Sequence, residues 1–128
     1  MDSKIGDIVY NAINEAVDGK IKVYPLIQTD ENGCLPFIVY RRSGFAPSYT
    51  KDLYCKVDDY FYSIAIVSDI YKVGVDLVDK VIDSLTSLTG QTINGKNIGS
   101  VQVTNASEIC GEDVLFVQNV DFQIKITK

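Results

Sequence analysis

The apolar positions fall into alternating runs of two periods. From Ser3 to about Val17, Ile5, Ile8, Val9, Ala12, Ile13, Ala16 and Val17 recur at spacings of three and four, the stripe of an amphipathic helix. Ser3 can cap that helix, and Asp18-Gly19 supplies its stop. "KIKVYPL" gives a short extended piece ended by Pro25, and the polar "QTDENG" reads as a turn. "LPFIVYRRSG", Leu35 to Gly44, is rich in β-branched and aromatic residues and reads as a strand. "FAPSYTKDLYC" after it is too irregular for an element and is expected to be an aromatic loop.

From Val57 to Val67 the period is two. Tyr60, Tyr62, Ile64 and Ile66 fall on one face, Phe61, Ala65 and Val67 on the other, so the strand is expected at the centre of the sheet or covered on both sides. At Ser68 the period changes to 3.6. Ser68 or Asp69 can cap a second helix, whose buried stripe is Ile70, Val73, Gly74, Leu77, Val78, Val81, Ile82 and Leu85. Gly74 on that stripe would let the helix approach the sheet closely, and Thr89-Gly90 ends it. Asn94-Gly95 between β-like flanks is a hairpin signal, "IGSVQVT" a modest strand, and "DVLFVQNVDFQIKITK" a long half-buried one. The expectation is one α+β domain over residues 1–128: a mostly antiparallel sheet of about four to five strands, with two helices packed on one face.

Composition narrows function mainly by exclusion. With 17 acidic against 12 basic residues, the net charge of −5 argues against general affinity for nucleic-acid backbone. The chain has no histidine, which removes the common nucleophile–base pairs and the commonest metal ligand. The glycines form neither a dinucleotide-binding fingerprint nor a phosphate loop. Cys34, Cys55 and Cys110 are far apart and read as buried thiols in a reducing compartment. No stretch suits a membrane span or a signal peptide. The carboxylate pairs Asp30-Glu31, Asp58-Asp59 and Glu112-Asp113 sit at turns or strand starts, where solvated acid is the plainer reading. A hydrolase using Asp58, Asp59 or Glu112 would need one of them in an apolar cleft. No enzymatic activity, cofactor or metal is expected.

The residues with most to offer a partner lie in "YRRSGFAPSY" and just beyond. Arg41 and Arg42 could grip phosphate or carboxylate; the plainer reading is a strand end with one guanidinium on each face. Phe45, Pro47, Tyr49 and Tyr54 are either a satellite of the core or interface anchors. Tyr10, Tyr40, Tyr60, Tyr62 and Tyr71 fall on flanks where subunit contact would also use them. A second function class is a small-ligand or peptide-binding module with a pocket lined by Tyr60 and Tyr62.

The order of segments has a counterpart. A first helix, "VYPL", a turn, "LPFIVYRRSG", a strand entering a long helix over "YFYSIAIVSDIYKVGVDLVDKVIDSLTSL", the hairpin region "INGKNIGSVQV" and a closing strand "VQNVDFQIKI" together resemble the tail-completion, or tail terminator, proteins of long-tailed bacteriophages and prophages. The resemblance covers about Ile5 to Ile126 and rests on order and spacing, ending in Asp121, Phe122, Gln123 and Ile124. It implies a non-enzymatic subunit that joins copies of itself into a ring, commonly hexameric, capping the tail tube and facing the head connector. No sequence-specific nucleic acid and no membrane enter that role, although DNA would pass through the ring; an acidic lumen would let it slide. The implied location is the bacterial cytoplasm during assembly and the virion tail thereafter.

Overall fold

A computed structural model describes residues 4–25, 35–49, 55–110 and 115–127. In chain order the elements are α1 (Lys4–Ala16), β1 (Lys22–Pro25), β2 (Phe37–Tyr49), β3 (Cys55–Ser68), α2 (Tyr71–Thr86), β4 (Thr92–Ile93), β5 (Lys96–Cys110) and β6 (Phe116–Thr127). The strands form a single curled sheet of 6 in the order β1-β2-β3-β6-β5-β4. The α+β class and the two helices stand, but the sheet has 6 strands where four to five were expected. It is also mixed, because β1 pairs with β2 in parallel while the other pairings are antiparallel. The turn read at "QTDENG" lies outside the described residues.

β3 and β6 are the central strands, and their alternation decides where the core sits. Tyr60, Tyr62, Ile64 and Ile66 of β3 and Val120, Phe122, Ile124 and Ile126 of β6 are all buried on one face. Ile5, Ile8, Val9, Ala12 and Ile13 of α1 and Leu77, Val81 and Leu85 of α2 pack into the same cluster. Burying apolar area of this kind is the main favourable term in the fold. Ser84 ties the two helices together by donating from Oγ to the carbonyl of Ala12 at 2.8 Å. The opposite face of β3, Phe61, Ala65 and Val67, is only half-buried, and no helix among the described residues covers it.

The ends of the elements follow local chemistry. α1 stops where Asp18 (φ 54°) and Gly19 (φ 68°) turn left-handed, and the β4–β5 hairpin closes on Asn94 (φ 53°) and Gly95 (φ 78°), the positive pair that a two-residue hairpin turn needs. The start of α2 differs from expectation. Neither Ser68 nor Asp69 caps it; the capping position is Ile70, without a side-chain cap bond. Ser68 is fully buried and donates to the Ile70 carbonyl at 2.9 Å instead. Helical geometry therefore begins at Tyr71, one or two residues later than expected, and Ile70, assigned to the buried stripe, is 57% exposed. Gly74 does sit at a close approach: a Cβ there would lie 2.9 Å from Ser68 Oγ and 3.4 Å from Gln118 Cγ.

Candidate interaction surfaces

Two strands are longer than their sequences suggest, and both extensions form edges of the sheet that no other described strand pairs along most of their length. β2 runs on through "FAPSY" to Tyr49, so Phe45 and Pro47 are strand residues and not parts of a loop. Pairing with β3 selects this conformation: Phe45 lies opposite Tyr60, Ala46 opposite Asp59 and Pro47 opposite Asp58. β1 accompanies β2 only along Phe37–Tyr40, so beyond Tyr40 the outer edge of β2 has no strand partner among the described residues. A proline within a strand suits such an edge, since it cannot donate to a further neighbour.

The predicted interface residues divide along this edge. Arg41 and Arg42 are both exposed but lie on opposite faces. Arg41 lines an open hollow of about 350 Å³ with Val39, Ser63, Ser107, Asn119 and Asp121 on the uncovered face. Arg42 lies across from Tyr62 on the helix side. Phe45 is half-buried, its ring 5.1 Å from that of Tyr60, so it belongs to the margin of the core. Pro47 is half-buried. The Tyr49 side chain and the whole of Tyr54 lie outside the described residues, as do Cys34 and Glu112. Tyr60 and Tyr62, proposed as pocket walls, are 1% and 3% exposed and fill the core, so the ligand pocket expected there is closed by packing. Burial pushes the Tyr62 phenol up to about 12, against the lowering influence of Arg42. Cys110, expected among buried thiols, is exposed.

The uncovered face is polar at its centre. Ser63 donates to Asp121 Oδ1 at 2.6 Å across the β3–β6 pair. Arg41, Lys125, Asp59 and Asp121 give this face both signs of charge. Asp58 and Asp59 are adjacent in β3 and so point to opposite faces, which does not assemble a paired-carboxylate site. No cluster of three or more metal-ligating side chains occurs among the described residues. No helix among them is long and apolar enough to cross a membrane.

The other open edge escaped the sequence reading. β5 was expected to end near Thr104 but continues through "NASEIC" to Cys110, because β6 offers it pairing as far as Cys110 opposite Phe116. β4 covers only its first residues, Lys96 and Asn97. Beyond them, Tyr71, at the first turn of α2, stands beside the edge, its ring at a T-shaped 5.6 Å from Phe116. The Tyr71 hydroxyl donates to Glu108 Oε1 at 3.1 Å, and Gln118 Nε2 donates to Glu108 Oε2 at 2.9 Å. These two donors hold the Glu108 carboxyl below its usual range. Ile109 (57% exposed) and Tyr71 (47%) flank the group. The signal available in the sequence was the length of the closing strand, which needs a partner of similar length.

No family model matches this sequence, and no curated protein does. Solved structures do. A chain in the virion of a native gene transfer agent particle superposes with a TM-score of 0.69 at 12% identity, over 94% of this chain and 92% of the other. A second solved structure matches with a TM-score of 0.53 at 9% identity, over 96% of each chain. At such identities the likeness is one of fold, and it spans nearly the whole chain.

Proposed function

We propose that this chain is a non-enzymatic structural subunit of a phage-like particle, and specifically a tail-completion protein. Copies of it form a ring that caps the tail tube, ends its polymerisation and meets the head connector. The observation that carries the reading is the near end-to-end likeness in fold to a chain of a gene transfer agent virion. The segment order, which resembles that of tail terminators, points the same way. The architecture suits the role: one helix-covered face makes a stable core, leaving an open polar face and two open strand edges for neighbours. A ring subunit needs two different contact surfaces, and two different edges are available. The expected partners are further copies of itself, the tail tube and the connector, with the particle as final location; DNA passing through the ring would need no sequence-specific contact.

The test is polymerisation of the cognate tube protein with and without the purified chain, read by electron microscopy. The reading expects shorter tubes with a distinct ring on one end as the chain is added. Unchanged tube lengths and bare ends across a wide excess would overturn tail completion.

A further inference from the structure

The two open edges are complementary in direction, in charge and in where their apolar residues lie. The pairings β2–β3, β3–β6 and β6–β5 are all antiparallel, so β2 and β5 run in opposite directions. If a second copy is set beside the first in the same orientation, its β2 therefore meets the first copy's β5 as an antiparallel neighbour, continuing the alternation of the sheet. The only charged residues of β2 are Arg41 and Arg42, and the only charged residue of β5 after Lys96 is Glu108. The large apolar side chains exposed among the described residues are Tyr10, Leu35, Ile70, Tyr71, Val103 and Ile109. Tyr10 packs against Tyr40 of β2 with ring centroids 6.1 Å apart, and Leu35 immediately precedes that strand. Val103 and Ile109 lie on β5, with Tyr71 bonded to its Glu108 and Ile70 next to Tyr71 in sequence. Exposed apolar surface is thus concentrated at the two opposite flanks of the sheet.

The geometry points to a head-to-tail joint between copies of this chain, in which the free edge of β5 at Asn105–Ile109 pairs with the free edge of β2 at Arg41–Ala46 of the next copy, with Glu108 facing Arg42 and Ser43 bulging out of the ladder as it does against β3. Faces fix this register. Glu108 is on the helix side, where Tyr71 reaches it, and Arg42 is on the helix side across from Tyr62, so opposing them keeps both helix layers on one side of a continuous sheet. In that register Ile109 meets Arg41 on the uncovered face, where the arginine stem can cover it. The joint stops where β1 begins to occupy the edge of β2, at Tyr40, and it falls short of Pro47. Backbone pairing supplies the contact and the charge pair its register. The inference rests on the ring reading only for closure of the assembly; the joint itself is read from the sheet.

The experiment uses the full chain under reducing conditions, with Arg42→Glu, Glu108→Arg and the double variant, each checked for an unchanged far-UV spectrum and melting transition. Light scattering over a concentration series gives the mass. Wild type should form discrete oligomers, and each single variant should associate about tenfold or more weakly, as like charges oppose one another across every joint. The double variant should recover. An equimolar mixture of the two single variants should recover as well, because alternating copies restore opposite charges at every joint. A wild-type chain that stays monomeric throughout, oligomers indifferent to charge reversal, or absence of recovery in the mixture would each overturn the joint. None of these touches tail completion, which stands or falls on tube capping; oligomers that follow the charge rule but leave tube ends bare would keep the joint and overturn the cap.

Discussion

β5 and β6 pair along almost their whole lengths, yet their fates differ. β6 buries every second residue from Gln118 to Ile126, while β5 buries only Ile98 and Val101 and is exposed from Gln102 to Cys110. The cause lies outside both strands. α2 packs over β3 and β6 and also meets β5, but it reaches the second half of β5 through Tyr71, at Glu108, and the residues from Gln102 to Cys110 stay exposed. Strand pairing satisfies the backbone in both strands, but only the covered strand gains the hydrophobic term. What the covered strand gains in stability the uncovered one retains as surface, a division that the proposed ring subunit would use.

The comparison is broken most strongly from the covered side. Phe122 is 1% exposed and stacks on Tyr62 at 5.9 Å, so Phe122→Ala should cost about 3–5 kcal/mol in denaturant unfolding. A loss below about 1 kcal/mol would mean that the helix-side cluster is not the core. Next in size is Gly74→Ala, expected to destabilise by about 1 kcal/mol even though alanine favours helix, because its Cβ would meet the buried Ser68 hydroxyl at 2.9 Å. Adding Ser68→Ala removes that oxygen and should return part of the loss; no recovery would place the strain elsewhere.

A smaller effect appears only at alkaline pH. Burial raises the Tyr62 phenol to about 12, above the ordinary 10.0 it regains on unfolding. The neutral form is favoured in the folded state, so this contribution is complete below pH 10.0 and is lost as pH rises toward 12. Tyr62→Phe should therefore flatten the alkaline fall in stability between those values, whereas an unchanged slope would assign the fall to other groups. The smallest effect on folding is expected at Ile109→Ser, within about 0.5 kcal/mol, since that side chain is 57% exposed. The same substitution should weaken association measurably. A large loss of stability there would erase the distinction between the two strands.

How much of this was legible follows the same division. α1, β3, α2 and β6 carry apolar stripes whose period states the element, and the faces assigned to Tyr60–Ile66 and Val120–Ile126 are the buried ones. Local signals were equally readable: Asp18-Gly19 and Asn94-Gly95 turn where their chemistry demands. The extensions of β2 through "FAPSY" and of β5 through "NASEIC" were not readable, because neither buries a regular stripe and each owes its strand form to the partner alongside. β1 escaped for a related reason, since four residues carry too little pattern to show whether they pair parallel or antiparallel. The proposed contact surface was half legible. Arg41 and Arg42 announced themselves by charge, while Tyr71, Glu108 and Ile109 come together only through the pairing of β5 with β6 and the placement of α2.

The most direct test of the assembly role is deletion of this chain from the element that encodes it, followed by electron microscopy of the particles produced. Tail tubes of uncontrolled length without heads are the expected result, corrected when the chain is supplied in trans. Particles with tails of normal length joined to heads in its absence would contradict it.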